Sequence, residues 1–171
     1  RSLGAFPEAP RRAADTLALL RELSGKIEVI TYPREMGEDE TRTSGLKPTV
    51  IGSIISGKTT SEDTYRAAVE MEKLGVDLIL FAGGDGTARD IFSAIERRVA
   101  VLGIPAGVKI HSAVYAVTPR TAATVARMFL EGQLLNLCDG EVMDIDEYAF
   151  RQGVITAKLY GYLRVPKERR Y

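Results

Sequence analysis

The stretch that most constrains this chain is Phe81-Ala82-Gly83-Gly84-Asp85-Gly86-Thr87-Ala88-Arg89-Asp90. Residues 76–81 are short, apolar and β-branched, the pattern of a buried strand. Residues 88–95 place Ile91, Phe92 and Ile95 on one face of a helix. A strand, a turn with three glycines and a helix make half of a βαβ unit. The turn therefore falls at the carboxyl edge of a parallel sheet, where such sheets bind ligands.

The residue types suit a phosphate. Gly83, Gly84 and Gly86 remove Cβ atoms, so backbone N–H groups can close on an anion and positive φ is open to them. The following helix aims its N-terminus at the same point. Thr87 can cap that helix or donate its hydroxyl to a phosphate oxygen. Asp85 is the informative residue, because a plain phosphate cradle gains nothing from a carboxylate at its centre. An acid there points to chemistry, as a general base on a hydroxyl or as a route to Mg²⁺. The alternative is a strand–helix turn in which Asp85 only caps.

The rest of the chain alternates between helix and strand. Residues 10–23 carry a wide apolar face of Ala13, Leu17 and Leu20, with Ser24-Gly25 as the stop. Residues 27–32 alternate like a strand ended by Pro33, and residues 37–45 read as a short solvated helix or loop. Residues 49–55 read as a second buried strand. A helix then runs to about Leu74, capped by Thr60 with Asp63 three residues on and with Tyr65, Ala68, Val69 and Leu74 available to the core. Gly52-Ser53-Ile54-Ile55-Ser56-Gly57-Lys58-Thr59 matches a Walker A loop literally, but Ile54 and Ile55 extend an apolar strand through the place where the loop would be.

Residues 99–104 form a third buried strand whose carboxyl end should lie beside that of strand 76–81. Lys109 follows, placed to meet a phosphate. His111 can meet a ribose or phosphate oxygen, or serve as an ordinary structural histidine. Thr118-Pro119 opens a helix to about Glu131, with Val125, Met128 and Phe129 inward. From residue 134 the texture becomes strand-like, with a turn signal at Asp139-Gly140 and a second extended run over 149–163.

Gly83-Gly84-Asp85-Gly86-Thr87 resembles the signature of the NAD kinase and diacylglycerol kinase superfamily. Thr59-Thr60-Ser61-Glu62-Asp63-Thr64 and Gly107-Val108-Lys109-Ile110-His111-Ser112-Ala113-Val114 are similar to the ATP–NAD kinase branch of archaea and bacteria, which includes proteins of the acetoin-catabolism-associated type. The resemblance implies an α/β fold: a Rossmann-like parallel-sheet domain over 1–132, lacking its first strand, and the start of an antiparallel β domain over 133–171. The family's upstream strand and Asn-Pro-x-x-Gly turn are not in this sequence, so the chain reads as part of a longer protein.

By the same resemblance the activity is that of an NAD kinase. ATP or polyphosphate is the donor, with Mg²⁺, and the 2′-hydroxyl of the NAD adenosine ribose is the acceptor. Asp85 is the general base. Gly83, Gly84, Gly86, Thr87, Thr59, Thr60, Asp63, Lys109 and His111 surround the nucleotide, with plain helix capping the alternative for Thr59, Thr60 and Asp63. NAD kinases hold the acceptor ribose with an Asn-Glu pair, which falls here near Asp144, Asp146 and Glu147. Asp146 stands in place of the amide and can accept but not donate. An edge strand kept soluble by carboxylates explains the same residues. A lipid or sphingoid kinase, and a nucleotide-binding regulator without turnover, remain the alternative readings.

Composition narrows the classes further. Lysine plus arginine balance aspartate plus glutamate at 23 each, so no basic surface points to nucleic acid. No apolar run approaches the ~18–20 residues of a membrane span, and no signal peptide is visible, so the expectation is a cytoplasmic protein. Cys138 and His111 are the single cysteine and histidine, too few for a structural zinc site. The expected partners are NAD and ATP alone, and the family's habit implies a homo-oligomer.

Overall fold

The structure is a computed structural model and describes residues 8–107, 109–133 and 136–167. In chain order it contains α1 (Glu8–Leu19), β1 (Val29–Thr31), α2 (Glu38–Thr43), β2 (Pro48–Val50), α3 (Ser61–Lys73), β3 (Leu78–Gly83), α4 (Asp85–Ile95), β4 (Ala100–Pro105), α5 (Pro119–Leu130), β5 (Asn136–Ile145), α6 (Glu147–Arg151) and β6 (Ala157–Lys167). Val108, residues 134–135 at the expected strand start and the charged end 168–171 lie outside the described residues.

The strands form two sheets. β1 and β2 pair in parallel. The second sheet has the order β3-β4-β6-β5. In it β3 and β4 run parallel from Leu78↔Ala100 to Gly83↔Pro105, which brings their carboxyl ends together as expected. β6 joins β4 in parallel at Ala100↔Arg164 and pairs antiparallel with β5 along its length. The fold class is the expected mixed α/β, with a parallel sheet and an antiparallel pair at the C-terminal end.

The core lies where α4 and α5 cover this sheet. Val101, Leu102 and Ile104 are buried because a parallel strand is covered on both faces. Ala88, Ile91, Ala94 and Ile95 recur at helical spacing and turn one face of α4 onto them. α5 packs closely through Ala122, Ala123 and Ala126 rather than through Met128 and Phe129. Its start is as expected: the Thr118 hydroxyl accepts from Thr121 N–H at 3.0 Å and Pro119 is the first helical residue. α1 is tied to the sheet's carboxyl edge, since the Arg12 guanidinium donates to Pro105 O at 2.9 Å.

Several expectations need correction. The helix at 10–23 ends at Leu19, and a 3-10 turn then tucks in Leu20 and Leu23. The segment at 37–45 is a short helix as read, but it buries Glu40, Thr41 and Ser44. The strand at 49–55 stops at Val50, and Ile55 is 70% exposed. The strand argument against a Walker A loop therefore fails. What opposes that loop is Glu35, whose carboxylate accepts from Gly57 N–H and from the Ser56 hydroxyl at 2.9 Å, so an anion already holds those donors. Helix α3 also begins three residues beyond Lys58. Tyr65 and Leu74 face solvent instead of the core.

Toward the C-terminus, Asp139-Gly140 is not a turn. β5 runs straight through it because Gly140 allows the Ala113 carbonyl to approach closely. The extended run at 149–163 is partly helical: α6 occupies Glu147–Arg151, and Val154 and Ile155 are exposed before β6 begins.

Between β1 and β3 lies a cavity of about 630 Å³, with Val29, Thr31, Leu78 and Leu80 on its walls. Two buried polar atoms among the described residues, Thr31 Oγ1 and Glu40 Oε2, have no hydrogen-bond partner, and both residues line it. Of the glycine-rich stretch only Phe81, Ala82 and Thr87 reach this space.

A Cβ on Gly140 would stand 2.7 Å from Ala113 O and 2.9 Å from Val165 Cγ2. Gly140→Ala should therefore lose about 1–3 kcal/mol of stability by urea denaturation. An unchanged midpoint would show that the 113–114 segment does not press on β5.

Candidate active site

β3 ends at Gly83, and α4 starts two residues later with Gly84 as its N-cap. Asp85, Gly86 and Thr87 are thus the first turn of the helix, not a loop before it. Thr87 does not cap. Its side chain folds back against Gly83, where any Cβ would collide with Thr87 Oγ1. None of the three glycines adopts a positive φ. For Gly83 and Gly84 the role is close approach, since a Cβ on Gly107 would sit 3.2 Å from Gly84 Cα, whereas a Cβ on Gly86 would meet open space. The first intrahelical bond is Ala88 N–H to Gly84 O at 3.2 Å, so the N–H groups of Asp85, Gly86 and Thr87 have no helical acceptor.

Residues 105–107 and 109–115 lie across this helix start. Ala106 N–H donates to Gly83 O at 3.1 Å, and the Tyr115 hydroxyl donates to Gly84 O. Tyr115 reaches it because its ring fills the space a Cβ on Gly103 would take. The Asp85 carboxylate accepts from Ser112 N–H at 2.9 Å, from His111 N–H at 2.9 Å, and lies 3.1 Å from His111 Nδ1. Burial by itself would raise the Asp85 carboxyl, but the hydrogen bonds from His111 and Ser112 outweigh it and hold the group below the usual carboxylate range. The Tyr115 phenol is pushed up, first by burial and then by the Asp85 charge.

Ser112 carries the connection onward. Its hydroxyl donates to Met143 O and accepts from Met143 N–H, both at 2.9 Å, which ties the segment to β5 next to Asp144. Arg89, four residues after Asp85 and so on the same face of α4, lies 3.6 Å from Asp144 and 3.8 Å from Glu147. Its guanidinium stacks 4.1 Å from the centre of the Tyr160 ring. Burial raises the neighbouring Asp90 carboxyl; Arg89 opposes this, while Asp144 and Glu62 add to it. The helix start, the 109–115 segment and the β5–α6 corner therefore form one polar surface.

The scan against protein families matches the ATP-NAD kinase N-terminal domain over residues 8–134, well over half of the chain. The chain belongs to the ATP–NAD kinase family. No curated protein and no solved structure matches it. The general activity follows with the family: a phosphotransferase of the kinase type acting on an NAD-like substrate.

Within this kinase domain the expected residues divide into two groups. Asp85, Gly83, Gly84, Gly86, Thr87 and His111 cluster at the α4 start, while Lys109, two residues before His111, is exposed. Asp144 and Glu147 join them through Arg89. Asp146 caps α6, its Oδ1 accepting from Tyr148 N–H at 3.0 Å and Ala149 N–H at 3.1 Å. Asp63 likewise accepts from Thr60 N–H at 2.8 Å and pairs with Arg66, and Thr59 is exposed. Sequence reasoning missed Arg89, Ser112 and Tyr115. Arg89 was detectable at i+4 from Asp85 had the helix been started at Asp85. Nothing local marks the other two, because their partners are about thirty residues away.

No helix among the described residues is long and apolar enough to cross a membrane. No group of three or more His, Cys, Asp or Glu side chains among them converges as a metal cage.

The lowered Asp85 carboxyl has a consequence for stability. A carboxyl held below its unfolded value adds stability that is fully present above about pH 4 and is lost as pH falls through the folded value. Asp85→Asn should thus be destabilising in urea at pH 7 and progressively less so toward pH 2. An equal loss at both ends would mean that packing, not charge, holds the carboxylate.

Proposed function

We propose that this domain transfers the terminal phosphoryl group of ATP or polyphosphate to the 2′-hydroxyl of the NAD adenosine ribose, giving NADP. The observation that carries the reading is the Asp85–His111 pair, set against the free N–H groups at the start of α4 and one helical turn from the Arg89-anchored carboxylates Asp144 and Glu147. Phosphoryl transfer asks mainly for positioning and charge neutralisation. The amides of Asp85, Gly86 and Thr87 and the positive end of the helix suit the donor phosphates, and exposed Lys109 adds a cation beside them. The Asp144–Glu147 corner offers acceptors for ribose hydroxyls.

Mg²⁺ would enter the site with the donor phosphates. Its contribution there is to offset charge on the β- and γ-oxygens. Thr60 and Asp63 form the capping box of α3, directly after exposed Thr59, and Glu62 of that helix lies near enough to Asp90 on α4 to raise its carboxyl. We take them as the support for the donor side of the site.

Incubation with NAD, Mg²⁺ and ATP, and separately polyphosphate, should give product detected by a dehydrogenase that accepts only NADP. Asp85→Asn should lower turnover by about 10²-fold or more, with nucleotide binding by calorimetry little changed. Binding of NAD without product from either donor would replace this reading with a regulatory one, and product from a sphingoid base instead would move the acceptor to lipids.

A further inference from the structure

We infer that the proton acceptor for the substrate hydroxyl is His111, through Nε2, and that Asp85 is the residue that holds and charges-matches this imidazole. The inference rests on the kinase reading above but changes which atom takes the proton. Three observations carry it.

The first is the state of the carboxylate. Asp85 has a side chain only 9% exposed. Both of its oxygens already accept hydrogen bonds, Oδ1 from Ser112 N–H at 2.9 Å and Oδ2 from His111 N–H at 2.9 Å. A carboxylate satisfied in this way has a low proton affinity, and a base whose conjugate acid is far stronger than the medium is inefficient in proton transfer.

The second is the orientation of the ring. His111 Nδ1 lies 3.1 Å from Asp85 Oδ2. An ionised carboxylate only accepts, so Nδ1 is the donor and carries the ring proton. The lone pair of the neutral imidazole is then on Nε2, on the far side of the ring from Asp85. The histidine side chain is 48% exposed, so that nitrogen is open to a substrate while the carboxylate behind it is not.

The third is the rigidity of the pair. The backbone amides of His111 and Ser112 are bonded to the same carboxylate that meets the ring, and Ser112 is tied to Met143 on β5. The Tyr115 hydroxyl, which lies on the same helix start, is engaged with Gly84 O and its phenol is held neutral. Lys109 is the remaining charged group of the segment. Asp85 therefore acts on the reaction by fixing the tautomer and orientation of His111 and by offsetting the positive charge the ring acquires.

The step balances as a simple displacement. The acceptor hydroxyl gives its proton to Nε2 as its oxygen bonds to the terminal phosphorus of the donor. The bridging P–O bond breaks, and its electron pair leaves with the nucleoside diphosphate. The imidazolium then returns its proton to water.

His111 is the single histidine of the chain, so its side-chain ¹⁵N signals are unambiguous. In the unliganded protein at alkaline pH, they should report the Nδ1–H tautomer, and Asp85→Asn should shift the population toward Nε2–H. In kinetics, His111→Asn keeps an amide donor for Asp85 but has no base. It should lower kcat by about 10²-fold or more with KM for both substrates within about threefold. Free imidazole should restore part of the activity of His111→Gly and none of that of Asp85→Asn. A wild-type Nε2–H tautomer overturns the inference, as does a His111→Asn enzyme that keeps more than about a tenth of kcat. If wild-type protein makes no NADP, the kinase reading fails by itself, and the tautomer still decides whether the Asp85–His111 pair exists in the stated form.

Discussion

The Asp85 carboxylate is the interaction on which the rest of this molecule depends. It sits at the first turn of α4 and takes hydrogen bonds from two consecutive amides of a segment twenty-six residues further on. That one group fixes the distance between the end of β3 and the chain that follows β4. Two backbone donors on a largely buried anion form charge-assisted bonds, which are stronger and more directional than neutral ones. Packing then exploits the fixed distance: Gly84 meets Gly107, the Tyr115 ring occupies the space beside Gly103, and Ser112 reaches β5.

A consequence is that the site is built from three separate pieces of chain held on rigid elements. α4 supplies Asp85 and Arg89, the 109–115 segment supplies Lys109 and His111, and the β5–α6 corner supplies Asp144 and Glu147. Arg89 is the joint between the first and third pieces. Its pairings with Asp144 and Glu147 are partly exposed, and such pairs contribute roughly 0–1 kcal/mol each. Their value is geometric: with the Tyr160 ring beneath it, the guanidinium holds two carboxylates on the side of α4 that also bears Asp85.

Local pattern carried much of the fold. The strands at 78–83 and 100–105, the cap of α5 and the stop of α3 follow from apolar runs, Thr-Pro and Gly75, and these rules hold because their partners lie within a few residues. Where the reading failed, a distant group had intervened. The apolar run at 49–55 leaves the sheet after Val50, where Gly52 turns with positive φ against the Tyr32 ring and Glu35 binds the loop beyond. Asp139-Gly140 has the composition of a turn but serves as a flat place for the Ala113 carbonyl. Both outcomes were decided by contacts that no window of sequence contains.

By itself the sequence determined that a strand, three glycines, an acid and a helix stand in a row, and with them the family and the location of the candidate site. This is local chemistry: glycine leaves room, and a helix start leaves amides unbonded. Only the tertiary structure decided what the acid touches. Its partners come from residues 111 and 112, its neighbour across the site from residues 144 and 147, and the contact between the imidazole and the carboxylate spans twenty-six residues of sequence. Those pairings arise because parallel β3 and β4 end side by side and because β6 carries β5 to the same sheet, a proximity that depends on the whole chain being folded.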